Sequence, residues 1–363
     1  MRESLFNLIA QPPSTIRAVG IMSGTSLDGL DLCLSDFRYE NSKWDFAIVK
    51  ATTLPYSPEI KRSLTEAFSL TGAELCALDF EYGKWIGERI NEFVADVNPK
   101  PNIIGSHGHT IFHQPSLGYT TQIGKGAAIS AVTGIPCVSD FRSGDVARGG
   151  QGAPLVPIGD RLLFSSYNWC LNIGGIANIS TQKDSQQLAW DICPANMILN
   201  ALANKQGKPY DSNGDLGREG AILTNLLDKL NSLPYYQSTP PKSLGREWFE
   251  THFYPLFVSD DSSISNLLAT TYEHISHQIA QSIPSNASGK LLVTGGGAHN
   301  DFLIEKIKEK ANISIVVPNK QTVDFKEALV FAFLSVLYIK GEAGSLSSVT
   351  GATASSIAGV LSL

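Results

Sequence analysis

The chain has 363 residues, of which 43% are hydrophobic and 17% charged, and its formal net charge is −6. This composition is typical of a globular protein and argues against disorder. The acidic balance also argues against a basic surface for nucleic acid or anionic membranes. At roughly 150 residues per domain, the length predicts two domains.

Strands are predicted where apolar residues run or alternate in the first half: 16–22, 30–37, 46–52 and a short strand ending at 103–104. A turn is predicted at 23–26. Helices are predicted at 58–70 and 73–97, the second with apolar residues spaced three and four apart. The polar stretch 106–114 predicts a loop. The stretch 139–157 is rich in glycine and arginine and predicts a long functional loop near a domain junction.

The second half repeats the arrangement of strand, glycine turn and strand. Its strands are predicted at 169–173, 177–181 and 291–293, and its helices at 195–206, 215–231, 262–283, from about 300, and 325–339. The repeat predicts two related α/β domains that face each other across a cleft. We place the first domain at 1–138 and the second at 139–343, with 344–363 returning to the first.

The cysteines and the apolar segments bear on the cellular compartment. Five scattered cysteines without a Cys-x-x-Cys pair favour a reducing compartment over disulfides or a zinc cluster. The apolar start is short and is broken by Pro12 and Pro13, unlike a signal peptide. The apolar stretch 328–339 is shorter than the roughly 20 residues that cross a bilayer. We therefore expect a cytoplasmic protein with no nucleic-acid or membrane partner.

The first glycine turn has the composition of a phosphate-binding hairpin. Small residues let backbone N–H groups approach a phosphate closely, and hydroxyl groups add donors. Asp28 and Asp31 have the chemistry to hold a hydrated magnesium ion. An ordinary hairpin turn remains the alternative, and no Walker A lysine follows. The predicted nucleotide-binding residues here are Gly24, Thr25, Ser26, Leu27, Asp28, Gly29, Leu30 and Asp31.

Two further glycine motifs lie in the second half. Gly174 and Gly175, followed by Asn178, form a bare turn between apolar strands, and with the first hairpin they suggest two loops gripping one polyphosphate. Gly295, Gly296 and Gly297 lead from a strand into a helix, which places open backbone and a helix N-terminus beside a flat ligand such as adenine. A plain helix-entry turn is the alternative for the third motif.

The order of these elements resembles the superfamily of actin, hexokinase and the heat-shock chaperones. The resemblance implies two actin/hexokinase-like domains with an ATP cleft between them. Many members carry an aspartate on the first strand just before the turn, where this chain has Met22 and Ser23. That difference argues against direct metal ligation by the first loop.

The sequence resembles one family of that superfamily in particular, the anhydro-N-acetylmuramic acid kinases. The matching segments follow the family's order: 20–31, 105–108, 140–142, 145–147, 149–157, 171–180, 210–211, 242–247, 293–300, 326–328 and 348–351. The resemblance implies a kinase that uses ATP and Mg²⁺ on a small-molecule substrate, a 1,6-anhydro amino sugar. A kinase for another sugar and a non-catalytic ATP-binding regulator remain alternatives, and a homodimer is left open.

The resemblance also implies a catalytic base. In this family a carboxylate takes a proton from water, water attacks C1, and the freed O6 takes the γ-phosphoryl group. The matching carboxylate is Asp191. The family pattern is close to Asp-Thr-Gly-Pro-Gly-Asn, and this chain has Ile192, Cys193 and Ala195 in place of the threonine and the two glycines. A helix cap for 195–206 is the alternative role for Asp191.

Five residues are candidates for gripping the sugar and its lactyl carboxylate: Thr110, Arg142, Asp145, Gln151 and Glu327. The fork of an arginine suits a carboxylate. A solvated loop residue or a structural salt bridge is the alternative for each of them.

Three histidines lie close together in the sequence. His109 stands where the family usually has glutamine, and a histidine can also donate and accept a hydrogen bond. His107, His109 and His113 lack a nearby carboxylate or cysteine, so we predict no metal site there.

Overall fold

The computed structural model describes residues 8–24, 27–240, 242–258 and 261–363. The chain divides into two α/β units: Met1–Leu163 with Phe325–Leu363, and Phe164–Asp324. These limits differ from the predicted ones, because residues 139–163 and 325–343 belong to the first unit. In the described chain, no helix combines the length and the apolar character needed to cross a membrane.

The strands are, in chain order, β1 (Thr15–Ser23), β2 (Gly29–Glu40), β3 (Lys43–Pro55), β4 (Ile103–Gln114), β5 (Tyr119–Ile123), β6 (Cys137–Ser139), β7 (Trp169–Ile173), β8 (Ile176–Lys183), β9 (Gln186–Pro194), β10 (Lys290–Thr294), β11 (Ser314–Val316) and β12 (Val360–Ser362).

The α-helices are α1 (Pro58–Glu66), α2 (Gly72–Phe93), α3 (Gly126–Thr133), α4 (Ser143–Val146), α5 (Pro157–Leu163), α6 (Asn196–Asn204), α7 (Asp215–Arg218), α8 (Thr224–Asn231), α9 (Arg246–Trp248), α10 (Pro255–Val258), α11 (Ile264–Gln281), α12 (Asp301–Lys310), α13 (Lys320–Lys340) and α14 (Ser347–Thr350). A π-helical turn, Phe249–Phe253, joins α9 to the segment before α10.

The two units have the same core topology. The first sheet has the order β12-β6-β4-β1-β2-β3, with β5 paired to β4, and the second has the order β11-β10-β7-β8-β9. In each, three successive antiparallel strands are extended by two parallel ones, β4 and β6 or β10 and β11. The weak repeat in the sequence therefore corresponds to a repeated strand order.

The prediction of a loop at 106–114 is wrong, because these residues continue strand β4. The polar residues that suggested a loop are paired on both sides: Ser23 of β1 lies opposite His109, and β5 pairs antiparallel with the second half of the strand. His107 and His109 are only 5% and 4% exposed. Each of these two histidines has a hydrogen-bond partner, described below, which offsets the cost of burying a polar side chain.

Helix α2 packs with the apolar face that its spacing predicts. Its buried large residues are Tyr82, Ile86, Ile90 and Phe93. Thr71 and Glu74 form a reciprocal capping box that fixes its first turn.

Helix α13 lies directly against the first sheet. A Cβ added at Gly20 of β1 would overlap the carbonyl oxygen of Ala328, and one at Gly105 of β4 would overlap that of Phe331. The backbones of helix and strands therefore touch without side chains between them. This close packing explains why residues 325–343 belong to the first unit.

Candidate functional site

The first hairpin turn joins β1 to β2. The N–H of Leu27 donates to the carbonyl of Gly24 at 3.2 Å, and Leu27 adopts the left-handed conformation at φ +57°. Asp28 is exposed, Leu30 is buried, and a Cβ at Gly29 would meet the carbonyl oxygen of Leu54 at 2.5 Å. The predicted contacts of Thr25 and Ser26 lie outside the described residues.

Asp31 follows the turn on β2. Its carboxylate accepts a hydrogen bond of 2.6 Å from the hydroxyl of Thr53 on β3. This contact ties the predicted nucleotide loop to the neighbouring strand.

Arg142 and His107 form a hydrogen-bonded pair in the first unit. The Nε and Nη2 groups of Arg142 lie 3.0 and 2.9 Å from Nε2 of His107, and Nη1 donates to the carbonyl of Gly152 at 2.6 Å. Since an arginine only donates, Nε2 of His107 must accept, and its Nδ1–H donates to the carbonyl of Gly108 at 2.9 Å. Burial and the nearby Arg142 guanidinium hold the pKa of His107 well below its usual value.

Glu327 on α13 is the acidic neighbour of Arg142. Burial raises the pKa of its carboxyl, and the Arg142 guanidinium opposes that rise. Burial likewise lowers the pKa of Arg142 to about 10, against the attraction of Glu327 and Asp145. The structure therefore brings three of the five predicted sugar-binding residues into one charged cluster.

Both carboxylate oxygens of Asp145 accept hydrogen bonds from other residues of the protein. Oδ2 accepts from the N–H of Gly152 at 2.8 Å, and Oδ1 accepts from the hydroxyls of Thr350, at 2.8 Å, and Ser345. Asp145 is 1% exposed. It therefore anchors the glycine-rich loop at 149–152 to the C-terminal segment, and sequence reasoning missed both hydroxyl partners.

The other two predicted sugar-binding residues lie nearer the surface. Thr110 on β4 pairs with Gln122 on β5, whose Nε2 donates to the Thr110 hydroxyl at 3.3 Å. Gln151 is exposed, and its N–H donates to the carbonyl of Thr350 at 2.8 Å.

A buried ion pair stands next to Glu327 in the sequence. Nζ of Lys326 lies 2.6 Å from Oδ1 of Asp160, and both side chains are at most 7% exposed. Sequence reasoning gave Asp160 no role.

The three histidines do not form a metal site. His107 faces Arg142, His109 faces Ser23, and His113 faces Thr120. Among the described residues, no three His, Cys, Asp or Glu side chains are grouped closely enough to hold a metal ion.

The second glycine turn, in the other unit, is fastened to the start of α6. The N–H groups of Ala195 and Met197 donate to the carbonyl of Gly175 at 2.8 and 3.1 Å, and that of Asn196 donates to Gly174 at 3.1 Å. Room for a Cβ remains at Gly174 and Gly175, where the nearest atoms are 3.6 and 3.7 Å away.

A row of polar residues crosses the second sheet and links its motifs. Thr294 pairs with Asn172, Asn172 with Asn178, and Asn178 with Asp191, on four adjacent strands. Residues opposite one another in a sheet share one face. A Cβ on Gly295 would meet Oδ1 of Asn172 at 2.5 Å. The row therefore connects the third glycine motif, the second hairpin and Asp191.

Asp191 lies within β9 and does not cap a helix. The N-cap of α6 is Ala195, which has no side-chain capping bond. The Oδ2 atom of Asp191 accepts from the N–H of Leu244 at 2.8 Å, and this is the carboxylate's only hydrogen bond within the described chain. Burial raises the pKa of Asp191, and the Leu244 bond opposes the rise.

The residues that depart from the family pattern beside Asp191 are buried. Ile192, Cys193 and Ala195 are 2%, 0% and 0% exposed, and they belong to the apolar core of the second unit. Apolar replacements at these positions are therefore accommodated by core packing.

The third glycine motif borders a cavity of about 460 Å³ within the second unit. Gly295 has φ +83° and Gly297 packs so closely on Ile173 that a Cβ would overlap it, whereas Gly296 has only Nδ2 of Asn196 nearby, at 3.5 Å. The cavity is lined by Asn196, Leu199, Asn200, Tyr210, Asp211, Ser212, Asn213, Tyr272, Gly296, Gly297, His299, Asn300 and Lys320.

The cavity wall is held by buried polar contacts that sequence reasoning missed. Asp211 accepts from the N–H groups of Leu216 and Gly217 at 2.9 and 3.0 Å and from the hydroxyl of Tyr272 at 3.1 Å. Asn300 donates to the Tyr272 hydroxyl at 2.8 Å and caps α12. These bonds give the cavity a preorganised wall.

The sequence matches a family of known proteins over nearly its whole length. Residues 16–362 match the family described as anhydro-N-acetylmuramic acid kinase. A relative of that name from Legionella pneumophila strain Corby is 32% identical over 361 residues, covering 94% of this chain and 97% of the relative. One from Bacillus cereus strain Q1 is 32% identical over 373 residues, with the same coverage of each chain.

A solved structure shows a weaker likeness. The activator of 2-hydroxyisocaproyl-CoA dehydratase from Clostridium difficile aligns with 90% of this chain and 96% of its own, at a TM-score of 0.44 and 11% identity. The family match, by contrast, spans both units and every motif described above. This chain therefore belongs to the anhydro-N-acetylmuramic acid kinase family.

Proposed function

We propose that this protein is an ATP-dependent kinase of cell-wall recycling in the cytoplasm. It opens the ring of 1,6-anhydro-N-acetylmuramic acid with water and phosphorylates O6, giving N-acetylmuramic acid 6-phosphate. The observation that carries the proposal is the polar row from Thr294 to Asp191, which links a glycine motif beside a cavity to a carboxylate with spare acceptor capacity.

Asp191 is the proposed general base. Its carboxylate is half-buried and accepts one hydrogen bond from the described protein, so lone pairs remain for a water molecule. A base held by a backbone donor keeps one orientation, and a raised pKa makes it a stronger proton acceptor. The proton of the attacking water would pass to this carboxylate as the C1–O6 bond breaks and O6 takes the γ-phosphoryl group.

The cavity beside Gly296 is the proposed adenosine site. Its volume falls within the range of ligand pockets, and asparagine side chains and open backbone supply hydrogen-bonding groups. The two glycine hairpins are the proposed phosphate-binding turns.

Magnesium is the expected companion of ATP. Mg²⁺ keeps several of its waters in kinase sites, so Asp28 and Asp31 beside the first hairpin would hold the hydrated ion through those waters, together with the substrate phosphates. When bound, Mg²⁺ neutralises charge on the β- and γ-phosphates.

The charged cluster of the first unit is the proposed sugar site. The Arg142 guanidinium is held in place by His107 and Gly152, which orients it for an anionic group such as the lactyl carboxylate. Thr110, Gln151 and Glu327 supply hydroxyl, amide and carboxyl groups for the sugar, and Asp145 fixes the loop that carries Gln151.

The test is phosphoryl transfer by the purified protein with ATP, Mg²⁺ and 1,6-anhydro-N-acetylmuramic acid. We expect N-acetylmuramic acid 6-phosphate, and Asp191→Asn should lower kcat about 10²- to 10⁴-fold while ATP binding persists. Asp184→Asn is the matched control, because Asp184 is exposed in the turn between β8 and β9 and should leave kcat unchanged. ATP binding without turnover would indicate a regulator, and turnover only on another sugar would indicate a different kinase.

A further inference from the structure

Three residues, Tyr235, Lys242 and Leu244, hold Asp191 through three hydrogen bonds. The Tyr235 hydroxyl donates to the backbone carbonyl of Asp191 at 2.7 Å. The N–H of Asp191 donates to the carbonyl of Lys242 at 3.1 Å, and the N–H of Leu244 donates to its carboxylate at 2.8 Å. These three residues therefore fix both the backbone and the side chain of Asp191.

The side chain of Lys242 contacts Tyr235. Its Nζ donates to the carbonyl of Tyr235 at 3.1 Å and lies 4.6 Å from the centre of the Tyr235 ring. The Tyr235 ring also packs against Trp248 at a centroid distance of 5.3 Å. Tyr235 is thus held from two sides, and its hydroxyl has a defined position relative to β9.

We propose that Tyr235 is a positioning residue for the reaction, which holds β9 so that the Leu244 N–H keeps the Asp191 carboxylate in one orientation. The proposal rests on the proposed role of Asp191 as base. Tyr235 itself need not touch either substrate, because its effect passes through the backbone of Asp191.

The alternative is that Tyr235 only fills space in an aromatic cluster. Its neighbour Tyr236 is a matched comparison, because its hydroxyl lies 3.0 Å from Nε2 of His274 and makes no bond to Asp191. Tyr235 and Tyr236 share one short helical turn, Pro234–Gln237, and both pack on Trp248. Tyr→Phe at each removes one hydroxyl and leaves the ring.

A positioning role and a space-filling role of Tyr235 predict different effects of Tyr235→Phe on the pKa of Asp191. A hydrogen bond to the charged carboxylate lowers its pKa, so a loosened Leu244 bond lets the pKa rise further. The other titratable groups near Asp191 and Tyr235 include Tyr236, Lys242 and Cys193. Burial raises the pKa of Tyr235, Tyr236 and Cys193, which stay neutral at acid pH, and it lowers the pKa of Lys242. Asp191 is the carboxyl among these groups, so a difference in the acid limb of kcat/KM between the Tyr235 and Tyr236 variants reports Asp191.

The experiment compares Tyr235→Phe and Tyr236→Phe in full steady-state kinetics across pH. We expect Tyr235→Phe to lower kcat about 10-fold or more, because small displacements of a catalytic group are costly. Its KM for ATP should stay unchanged, and the acid limb of kcat/KM should move to higher pH. Tyr236→Phe should match the wild type in both. Equal kcat values and equal acid limbs for the two variants would overturn the proposal.

A second variant, Lys242→Gln, keeps the proposal testable if Tyr235→Phe does not fold. Lys242→Gln removes the ammonium group from Tyr235 while leaving the backbone carbonyl that accepts from Asp191, and it should shift the acid limb in the same direction by less. An unshifted limb in a folded Lys242→Gln protein, together with an unshifted limb in Tyr235→Phe, contradicts the proposal. Failure of the proposed function is separate, since it would show as undiminished turnover in Asp191→Asn.

Discussion

The hydroxyl of Ser23 lies 2.9 Å from Nδ1 of His109, on the neighbouring parallel strand. Ser23 also accepts a 2.6 Å hydrogen bond from the hydroxyl of Tyr56, which lies 2.8 Å from that of Tyr82. Burial lowers the pKa of His109, so the ring is neutral at pH 7 and can accept from Ser23. Ser23, which joins His109 to the two tyrosines, is the last residue of β1, where the first hairpin turn begins.

His109→Leu should destabilise the protein through Ser23. The variant leaves the buried Ser23 hydroxyl without an acceptor, which costs about 1–3 kcal/mol. His109→Gln is the control, because an amide oxygen can accept the same hydrogen bond. Urea unfolding of the three proteins measures the difference. Equal stability of the Leu and Gln variants would show that the Ser23 contact contributes nothing.

Gly296→Val should weaken ATP binding without unfolding the protein. A Cβ at Gly296 meets no backbone, and the branched side chain would occupy space bordering the cavity. We expect at least a 10-fold higher Kd for ATP by titration calorimetry, or about 1.4 kcal/mol. Gly72→Val is the control, since open space surrounds Gly72 at the start of α2. Unchanged ATP affinity in a folded Gly296→Val protein would place the adenosine elsewhere.

Asp145→Ala should act chiefly on stability. The substitution leaves the Gly152 N–H and two hydroxyl donors, Ser345 and Thr350, without their acceptor in a buried site. We expect the free energy of unfolding to fall by about 3 kcal/mol or more. Denaturant unfolding checks this. A variant of wild-type stability with a raised KM for the sugar would instead assign Asp145 to substrate binding.

Acid should inactivate the enzyme through Asp191. The carboxylate must be ionised to accept a proton, and burial raises its pKa above the ordinary value near 3.9. Activity should therefore be retained above the raised pKa and lost as pH falls through it. The pH profile of kcat/KM for the sugar tests this, and the profile of Asp191→Asn should lack that limb. An acid limb at or below the ordinary aspartate value would contradict the burial argument.

Local patterns in the sequence predicted much of the fold. Strands β1, β2, β7 and β8 were found because apolar runs end at glycine turns, and α2 because its apolar residues repeat every three or four positions. These signals lie within a few residues of each other, so no tertiary contact is needed to see them.

Elements that depend on distant partners were missed. Strand β9 was missed because its pairing with β8 is not visible in its own sequence, and the stretch 106–114 of β4 is polar because His107 bonds to Arg142 and His109 to Ser23. The predicted helix at 215–231 is broken between α7 and α8. The bonds of Asp145 could not be predicted, since Ser345 and Thr350 lie 200 and 205 residues away in the sequence.

The resemblance identified Asp191 as the candidate base, and that role stays a prediction. The alternative role of Asp191 as a helix cap was wrong. The cap position belongs to Ala195, four residues later, because β9 continues to Pro194. Leu244 lies in the matching segment 242–247, but no sequence pattern indicated a contact of Tyr235 or Leu244 with Asp191, since they act through a hydroxyl and a backbone N–H.

The contact of α13 with Gly20 and Gly105 changes how the neighbouring motifs should be interpreted. Neither glycine can accept even a methyl group, because the helix carbonyls of Ala328 and Phe331 occupy that space. Both positions should therefore be intolerant of every substitution in a mutational scan, whether or not they contact a ligand. Gly20, the first residue of the apparent nucleotide-binding motif, is therefore required by the packing of α13 against β1.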